Sequence, residues 1–380
     1  MNKYVSILHI ITGLSVGGAE TMLYKLLSRI DRNVFTNQVI SLTNKGPLAE
    51  KIESQGVPVE ALGMCRGMPD PVRVWKLSRS IRNKRPDIIQ TWMYHADLIG
   101  GLAAKFAGHF PIVWNIRHSN LDAKANKKTT IWTAKACALF SGKIPVRIVS
   151  CAESSRDVHV GIGYHSGKML VIPNGFDLEG FRPDTEAKVS VRRELGLETD
   201  ALLVGMVGRF DLQKDHQNLV LAAKYLKEQG IDVFFVLCGR GVANNNEMLT
   251  GWIREAGLTD RFFLLGFRDD IPRLTAALDI ACLSSAFGEG FPNVLGEAMA
   301  CEIPCVATDV GDSANIIGDT GRVVPPKNPV ALGKALKELV CMGYEGRAGL
   351  GRSARKRIRE RFELSKVVKR YEELYMGLLN

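Results

Sequence analysis

The sequence lacks any long apolar run. Among its 380 residues there is no stretch of about eighteen consecutive apolar residues, which is what a helix needs to cross a membrane. The first twenty residues could be mistaken for a signal peptide, but His9, Thr12 and Ser15 interrupt their apolar run, so we interpret this segment as a buried first strand. Any membrane contact is therefore expected to be peripheral.

Closely spaced cysteine pairs are also lacking. The eight cysteines show no CxxC spacing, and most of them lie within apolar segments with strand or helix patterns. This distribution is typical of reduced, structural thiols in a cytosolic protein.

Acidic residues are scarce in the first half of the chain. Residues 1–174 contain 23 Lys and Arg against 11 Asp and Glu, a net charge of +12, whereas residues 175–345 carry 17 against 25, a net charge of −8. The last 35 residues return to +6. The basic half is expected to meet an anionic partner such as a phospholipid surface, a diphosphate or a nucleic acid, although a solvated basic surface without a partner gives the same composition.

Short β-branched runs alternate with helical patterns along the whole chain. This alternation is typical of parallel sheets with crossover helices, and it predicts an α/β protein with two doubly wound sheets in tandem. The turn-rich segment 171–183 separates the two series, so we place a hinge there. Ligands are expected at the carboxyl ends of the strands, in a cleft between two domains. The predicted strands are 4–10, 37–43, 57–62, 87–92, 111–116 and 146–150, then 201–207, 233–239, 261–266, 279–284 and 303–308.

Two loops that follow predicted strands have the composition of anion sites. Gly17 and Gly18 follow the first strand and open a helix, which brings backbone N–H groups and a positive helix end toward a ligand. In the second half, Arg209 and Lys214 flank the polar loop after strand 201–207. Cations are disfavoured at a helix N-terminus, so this pair predicts an anion between them, and a diphosphate fits best. The alternative is that both are ordinary surface cations.

The stretch GEGFPNVLGEAMA at 288–300 carries two carboxylates, Glu289 and Glu297. Pro292 favours the first turn of a helix, so Glu289 is predicted in the loop and Glu297 in the second helical turn. This separation favours two contacts on one extended ligand over an acid/base couple. A capping role for Glu289 and a solvated one for Glu297 are the alternatives. The backbone N–H groups expected at phosphate oxygens are those of Phe291, Asn293 and Val294, while Gly290 lets the backbone near Glu289 approach the ligand.

Together, GGAE at 17–20, GRFDLQK at 208–214 and EGFPNVLGE with AMACEIPCVATDVG at 289–311 resemble the family 4 glycosyltransferases. These are retaining enzymes of the GT-B fold, in which two Rossmann-like domains face each other across a cleft. The resemblance covers essentially the whole chain. It implies an acceptor-side domain at 1–172, joined by a C-terminal helix at 364–380, and a nucleotide-sugar-binding domain at 173–363.

The resemblance also implies roles for the candidate residues. Gly17 and Gly18 would lie under the donor diphosphate, and Arg209 and Lys214 would clasp it. Glu297 would bind the ribose hydroxyls. Three further contacts complete the implied site: Glu289 facing the transferred sugar, His118 touching that sugar, and the backbone at Phe267 holding the nucleobase.

The chemistry implied by the resemblance is sugar transfer from a nucleotide-diphosphate donor, with a UDP-sugar preferred. Cations and a helix N-terminus would stabilise the leaving diphosphate, and the sequence has no Asp-x-Asp metal clamp, so neither a metal nor another cofactor is expected. The sequence departs from the family pattern at Pro292, Gly296 and Glu302, which affects the identity of the sugar more than the reaction class.

The acceptor is assigned to the basic N-terminal domain. Residues 124–143 place five lysines among apolar residues at roughly helical spacing, which is typical either of an interfacial helix on anionic lipid or of a core-facing helix with a wet basic face. Many relatives use lipid-linked acceptors. The expected partner is therefore a glycan on polyprenyl diphosphate, used in surface polysaccharide or glycoconjugate synthesis by a cytoplasmic enzyme peripheral to the inner face of the plasma membrane.

Two other functions are consistent with parts of the sequence. A nucleotide-sugar epimerase or a sugar phosphorylase of similar fold would share the diphosphate site without a lipid acceptor. A nucleic-acid-binding protein would explain the basic half, but the sequence lacks the aromatic-interleaved basic platform that such binding favours, so no nucleic-acid partner is expected.

Overall fold

Short buried strands alternate with helices throughout the computed structural model, which describes residues 4–15, 17–65, 70–121 and 126–379. The chain divides into two compact units. The first comprises Met1–Gly175 and Leu364–Asn380, and the second comprises Phe176–Glu363. Each unit holds one sheet of its own, and the two sheets are described separately.

The first unit is built on a seven-stranded parallel sheet in the order β3-β2-β1-β4-β5-β6-β7. Side chains of the first strand alternate between two hydrophobic clusters, with Ile7 in one and Leu8 in the other, so helices cover both faces of the sheet. The strands are β1 Val5–Ile11, β2 Phe35–Ser41, β3 Val59–Ala61, β4 Ile88–Trp92, β5 Ile112–Ile116, β6 Arg147–Ser150 and β7 Met169–Val171.

The helices of the first unit form two layers. Residues of α1, α2 and α15 pack in one cluster, and residues of α3, α4 and α5 pack in the other. The C-terminal segment thus completes the core of the first unit. The helices are α1 Gly18–Arg29, α2 Pro47–Glu53, α3 Pro71–Lys84, α4 Tyr94–Ala107, α5 Lys128–Phe140, α6 Glu153–Gly161 and α15 Leu364–Met376.

The second unit has a six-stranded parallel sheet in the order β10-β9-β8-β11-β12-β13. Its strands are β8 Leu203–Val207, β9 Phe234–Cys238, β10 Phe262–Leu264, β11 Ile280–Leu283, β12 Cys305–Thr308 and β13 Arg322–Val324. Its helices are α7 Thr185–Glu194, α8 His216–Glu228, α9 Glu247–Glu255, α10 Ile271–Ala276, α11 Asn293–Ala300, α12 Ser313–Ile317, α13 Pro329–Cys341 and α14 Gly343–Arg361.

All eleven predicted strands are present within a few residues of their predicted bounds. Two strands were missed, β7 and β13, and both are three-residue strands at a sheet edge with half-buried side chains. Such short edge strands have too few residues for a period of two to stand out. All eight cysteines are free thiols, six of them buried. No helix in the described parts of the chain is long and apolar enough to span a bilayer.

Candidate active site

The candidate site in the second unit lies where the strand order of its sheet reverses. β8 and β11 are neighbours there, with Val204 opposite Ile280, although some 70 residues separate them in sequence. Because both strands are parallel, the loops that follow them leave from the same edge of the sheet. The sheet therefore brings together Arg209 and Lys214, from the first loop, and Glu289, from the second.

The two loops meet in a buried ion pair. Lys214 Nζ lies 2.6 Å from Glu289 Oε1, and the two side chains are only 12% and 8% exposed. The same carboxylate oxygen accepts a hydrogen bond of 2.6 Å from the Ser285 hydroxyl. A charge-assisted bond out of water is stronger than one on the surface, and it holds both side chains in fixed positions. The site thus presents one cation and one carboxylate as a unit.

Hydrogen bonds to the backbone fix the positions of the two loops. The Ser284 hydroxyl donates to the carbonyl oxygens of Lys214, at 2.9 Å, and Asp215, at 3.0 Å. The backbone N–H of Ala286 donates to the carbonyl of Gln213 at 2.8 Å. Lys214 is therefore held at both its backbone and its ammonium by residues that follow β11.

Arg209 occupies a more open position than Lys214. Its side chain is 57% exposed, and its guanidinium contacts Asp211 at 3.2 Å and Gln213 at 3.0 Å. Both partners belong to the same short loop, so these contacts restrain the guanidinium only locally. An exposed ion pair of this kind is weak, and an incoming anion can exchange with it at little cost.

The second carboxylate of the motif lies on a helix, as predicted. Pro292 is the N-cap residue of α11, and Glu297 falls in the second turn of that helix. Asn293 and Val294 form the first turn, whose N–H groups have no intrahelical acceptor. The helix therefore points its positive end toward the loop that carries Glu289.

Phe291 and Gly296 form a packing contact that explains one departure from the family pattern. Phe291 is buried and its ring lies 6.0 Å from that of Phe176 and 5.5 Å from that of Phe362. A Cβ at position 296 would lie 2.1 Å from the Phe176 ring. Glycine at 296 therefore makes room for an aromatic residue from the predicted hinge segment. Only the backbone of Phe291 remains to face a ligand.

Gly311 supports the loop that carries Glu289. It follows β12, has a φ of +62°, and a Cβ there would lie 2.1 Å from the carbonyl oxygen of Glu289. The backbone N–H of Asp312 donates to the carbonyl of Gly290 at 3.0 Å. Only glycine combines this left-handed conformation with so close an approach.

Gly311→Ala is expected to lower the free energy of unfolding by at least about 2 kcal/mol more than Gly230→Ala, and to reduce transfer activity, because the Glu289 loop must shift. Gly230 has a similar φ of +70°, but a Cβ added there would have nothing within 4 Å, so its variant reports the conformational cost alone, about 1–2 kcal/mol. Urea denaturation and initial rates measure both effects. Equal losses in the two variants would show that the close approach is unimportant.

The predicted nucleobase position lies in the loop after β10. Phe267 is 66% exposed, and its neighbour Arg268 bonds both Asp270, at 2.7 Å, and Glu194. Arg273 joins the same two carboxylates, and the guanidinium of Arg268 holds the pKa of Asp270 below its usual range. This network ties the loop to α7 and α10, so the backbone at Phe267 is held while its side chain is free of the core.

In the first unit, the glycine-bearing loop follows β1, at that sheet's own reversal point between β1 and β4. Gly17 is the N-cap residue of α1, which begins at Gly18 as predicted. The Ser15 hydroxyl donates to Glu20 at 3.2 Å, and a Cβ on Gly17 would lie 2.5 Å from the same carboxylate. Glu20 is buried beneath the helix start and takes the place that a side chain at 17 would need.

His118 follows β5 and is half-buried. Its Nε2 lies 2.9 Å from Asn126 Oδ1, and its backbone carbonyl accepts a 2.6 Å hydrogen bond from the Ser155 hydroxyl. The ring meets that of Tyr94 edge-on at 6.2 Å. Tyr94 in turn lies 2.6 Å from His159 Nε2, whose pKa burial lowers to about 4. The ring of His118 thus packs against the buried Tyr94, which in turn contacts the neutral, buried His159.

Several of these residues carry no signal in the sequence. Tyr94 and His159 depend on each other across 65 residues of chain, whereas Ser285 bonds Glu289 only four residues away, and no motif in the sequence identifies any of the three. The only signal in the sequence was that Ser285 and Tyr94 closely follow the ends of predicted strands.

Asp97, at the start of α4, is a buried carboxyl that the sequence also did not single out. It is fully buried, it accepts hydrogen bonds from the Thr91 hydroxyl at 2.5 Å and the Asn115 N–H at 3.3 Å, and its other oxygen has no hydrogen-bond partner among the described residues. Burial raises its pKa from 3.8 to about 8. The group is therefore neutral in the folded protein at pH 7.

Asp97→Asn is expected to be increasingly stable relative to the wild type as the pH rises. Above pH 4 the carboxyl ionises in the unfolded chain but stays neutral in the folded one until about pH 8, so the wild type loses stability across this window. Asparagine does not ionise in either state. Urea denaturation at pH 5 and pH 8 should show a relative gain of about 4 kcal/mol. A pH-independent difference would contradict the neutral carboxyl.

The comparisons with known proteins agree with this geometry. The family described as Glycosyltransferase Family 4 matches residues 16–179, and the family described as Glycosyl transferases group 1 matches residues 188–357. The chain is a family 4 glycosyltransferase. The first of these matches covers the loop with Gly17 and Gly18, and the second covers both loops of the Lys214–Glu289 pair.

Two curated relatives of this glycosyltransferase span most of its length. UDP-Gal:alpha-D-GlcNAc-diphosphoundecaprenol alpha-1,3-galactosyltransferase of Escherichia coli is 28% identical over 271 residues, which cover 70% of this chain and 69% of the relative. EpsF of Bacillus subtilis strain 168 is 28% identical over 314 residues, which cover 80% and 79%.

Solved structures confirm the fold of the glycosyltransferase. HepE of Anabaena in complex with UDP superimposes with a TM-score of 0.86 at 22% identity, covering 98% of this chain and 100% of that one. A glycosyltransferase from Rickettsia africae gives 0.85 at 18% identity, covering all of both chains. The predicted GT-B class, with two Rossmann-like units, is confirmed.

Proposed function

We propose that this glycosyltransferase moves a sugar, with retention of anomeric configuration, from a UDP-sugar to a glycan on a polyprenyl diphosphate carrier. The observation that carries the proposal is the buried Lys214–Glu289 pair at the strand-order reversal of the second unit. Open α/β sheets bind nucleotides at this place. A cation beside a carboxylate there supplies a partner for the leaving diphosphate and one for the sugar.

The leaving diphosphate is the group that gains charge as the glycosidic bond breaks. Lys214, Arg209 and the N-terminus of α11 supply positive charge and N–H donors at the carboxyl edge of β8 and β11, where a bound diphosphate would lie. Gly17 and Gly18 are assigned to the diphosphate from the first unit. This set of groups works without a metal ion, so transfer is expected to withstand chelators.

The sugar and nucleoside are assigned to the remaining candidate residues. Glu289 and His118 are assigned to the transferred sugar, Glu297 to the ribose hydroxyls, and the backbone at Phe267 to the base. Glu289 is a stabilising and positioning carboxylate in front-face attack within an ion pair, which needs no covalent intermediate. The backbone N–H groups of Phe291, Asn293 and Val294 would face the phosphates, and Gly290 would let the backbone near Glu289 approach the ligand.

The nature of donor and acceptor is supported by two of the similar proteins. The name of the E. coli relative specifies UDP-Gal and a diphosphoundecaprenol-linked GlcNAc, and the Anabaena structure holds UDP. A polyprenyl acceptor places the enzyme at the inner face of the plasma membrane, in surface polysaccharide or glycoconjugate synthesis.

A donor panel tests the proposal. UDP-, GDP-, ADP- and dTDP-sugars are screened by thermal shift, because a ligand that binds only the folded state raises the unfolding temperature. The donor that shifts it most is then incubated with a polyprenyl-diphosphate glycan, with and without EDTA, and the anomeric configuration of the product is read by NMR. Transfer with retention is expected. Inversion, or complete loss of activity with EDTA and recovery with magnesium, would contradict the proposed mechanism.

Incubation with the donor alone separates transfer from the competing activities. An epimerase converts the donor sugar without an acceptor, and a phosphorylase releases a sugar phosphate in the presence of phosphate. The proposed transferase gives at most slow hydrolysis under both conditions.

A further inference from the structure

Helices α3, α4 and α5 lie side by side on one face of the sheet in the first unit. Each begins after the carboxyl end of a strand, β3, β4 or β5, and runs back toward the amino ends. The first turns of all three helices therefore lie at the sheet edge that also carries Gly17, Gly18 and His118. We call the outer surface of this layer the α3–α5 surface.

The α3–α5 surface is basic. The fourteen residues of α3 include five cations and no carboxylate, and the thirteen residues of α5 also lack carboxylates. Asp97 is the one carboxylate in the three helices, all of whose residues are described, and it is fully buried. Two carboxylates flank the surface, Asp70 paired with Arg73 and Glu60 paired with Lys84. The other cations on or beside the surface are Lys76, Arg79, Arg82, Lys105, Lys127, Lys128, Lys135 and Lys143.

Large apolar side chains stand exposed among these cations. Trp75 is 59% exposed and Trp132 is 72% exposed, and each is the fifth residue of its helix, so both lie near the carboxyl edge of the sheet. The guanidinium of Arg79 lies 5.6 Å from the centroid of the Trp75 ring. Phe106 and Leu139 are also exposed. Exposed aromatic residues that are rimmed by cations mark an interaction surface.

The centre of the surface is apolar. α4 separates α3 from α5, so the two tryptophans are about 20 Å apart, two helix spacings. Between them α4 presents half-buried Leu98, Ile99 and Leu102. A nucleic acid needs cations along the track of its phosphates, whereas this arrangement has aliphatic groups in the middle and cations around them. Anionic phospholipids match this arrangement, because their acyl chains can contact the aliphatic groups and their headgroups can contact the cations.

We propose that the α3–α5 surface docks this protein on an anionic phospholipid bilayer. Tryptophan side chains settle at the level of the headgroups, and each Lys or Arg near a negative surface adds to the attraction. A shallow, open depression of about 420 Å³ along α3, beside Trp75, Lys76 and Arg79, gives a headgroup room next to the cations. Docking through Trp75 and Trp132 would bring the carboxyl edge of the sheet close to the membrane. The functional purpose of docking rests on the proposed lipid-linked acceptor, whereas the binding to anionic membranes does not depend on it.

The test is co-sedimentation of the full chain with vesicles of phosphatidylcholine alone or with about one third phosphatidylglycerol, at low salt. Binding is expected only to the anionic vesicles. Lys76→Ser with Arg79→Ser should weaken it at least about tenfold, since each cation near the surface contributes about fivefold. Arg352→Ser with Lys356→Ser removes the same charge from exposed positions of α14 and should change binding less than twofold.

A second pair of variants tests the aromatic contribution. Trp75→Ala with Trp132→Ala should weaken vesicle binding at least about tenfold, while Tyr344→Ala, at an exposed position of the second unit, should not. Brominated lipids should quench the part of the wild-type fluorescence that comes from Trp75 and Trp132, because Trp92 and Trp114 are fully buried and Trp252 is half-buried in the second unit.

Four results would overturn the proposal. The first two are equal binding to neutral and anionic vesicles, and a loss of vesicle binding in the α14 control variant as large as that in the Lys76 and Arg79 variant. The other two are tighter binding to an oligonucleotide than to anionic vesicles at the same salt, and a dimer that buries Trp75 and Trp132. Transfer to an acceptor in detergent is measured in parallel. Vesicle binding without transfer from any donor would reject the proposed function alone, and transfer without vesicle binding would reject the docking surface alone.

Discussion

Glu289→Gln is expected to lower kcat for sugar transfer by about a thousandfold while UDP affinity stays the same or rises. The carboxylate is assigned to the transferred sugar, so its charge matters in the transition state. It also lies 2.6 Å from Lys214 Nζ, so removing its charge leaves Lys214 with more positive potential for a diphosphate. Initial rates and calorimetric titration with UDP measure the two effects separately.

A matched control for this variant is Glu338→Gln. Glu338 also pairs with a cation, Arg322 at 2.5 Å, but on the surface of the second unit. Its variant should keep kcat within about twofold, because exposed pairs contribute little. Near-wild-type transfer by Glu289→Gln would show that this carboxylate does not face the reacting sugar.

Lys214→Met is expected to impair both binding and transfer. Loss of a charge-assisted bond to the diphosphate should weaken UDP binding about 10- to 100-fold, and kcat/KM should fall by about three to four orders of magnitude, since the leaving group loses its buried cation. UDP affinity should therefore fall in Lys214→Met, whereas in Glu289→Gln it should rise or stay unchanged.

The Lys214 variant needs a stability measurement, because it leaves Glu289 buried without its cation. Removing one partner of a buried ion pair lowers the free energy of unfolding by about 3–5 kcal/mol. The UDP titrations should therefore be run well below the unfolding temperature of the variant. Lys227→Met is the control: Lys227 lies in the last turn of α8 and donates to the carbonyl of Gly257 at 2.6 Å, away from the site edge, and its loss should leave UDP affinity unchanged. Unaltered UDP binding by Lys214→Met would remove Lys214 from the donor site.

Local patterns in the sequence were sufficient to predict the elements of the fold. Strands buried on both faces give continuous apolar runs, and Pro292 restricts the start of a helix to its neighbourhood, so the position of β11 and the start of α11 followed from the chain itself. The edge strands β7 and β13 did not follow, since three half-buried residues carry almost no periodicity.

The contacts within the site could not be predicted in the same way. Lys214 and Glu289 are 75 residues apart, and only the pairing of β8 with β11 makes them neighbours. The sequence indicated that each side chain would contact a polar ligand, but not that the two side chains would form an ion pair with each other. Gly296 illustrates the same limit, because the aromatic ring that requires a glycine there comes from Phe176, far earlier in the chain.

The most direct test of the proposed donor site is a crystal structure of this protein with UDP. The account predicts diphosphate oxygens within about 3 Å of Lys214 Nζ and of the backbone N–H groups of Phe291, Asn293 or Val294, with the uracil at the backbone of Phe267. A diphosphate bound elsewhere, with Lys214 still paired to Glu289 and no contact to α11, would contradict it.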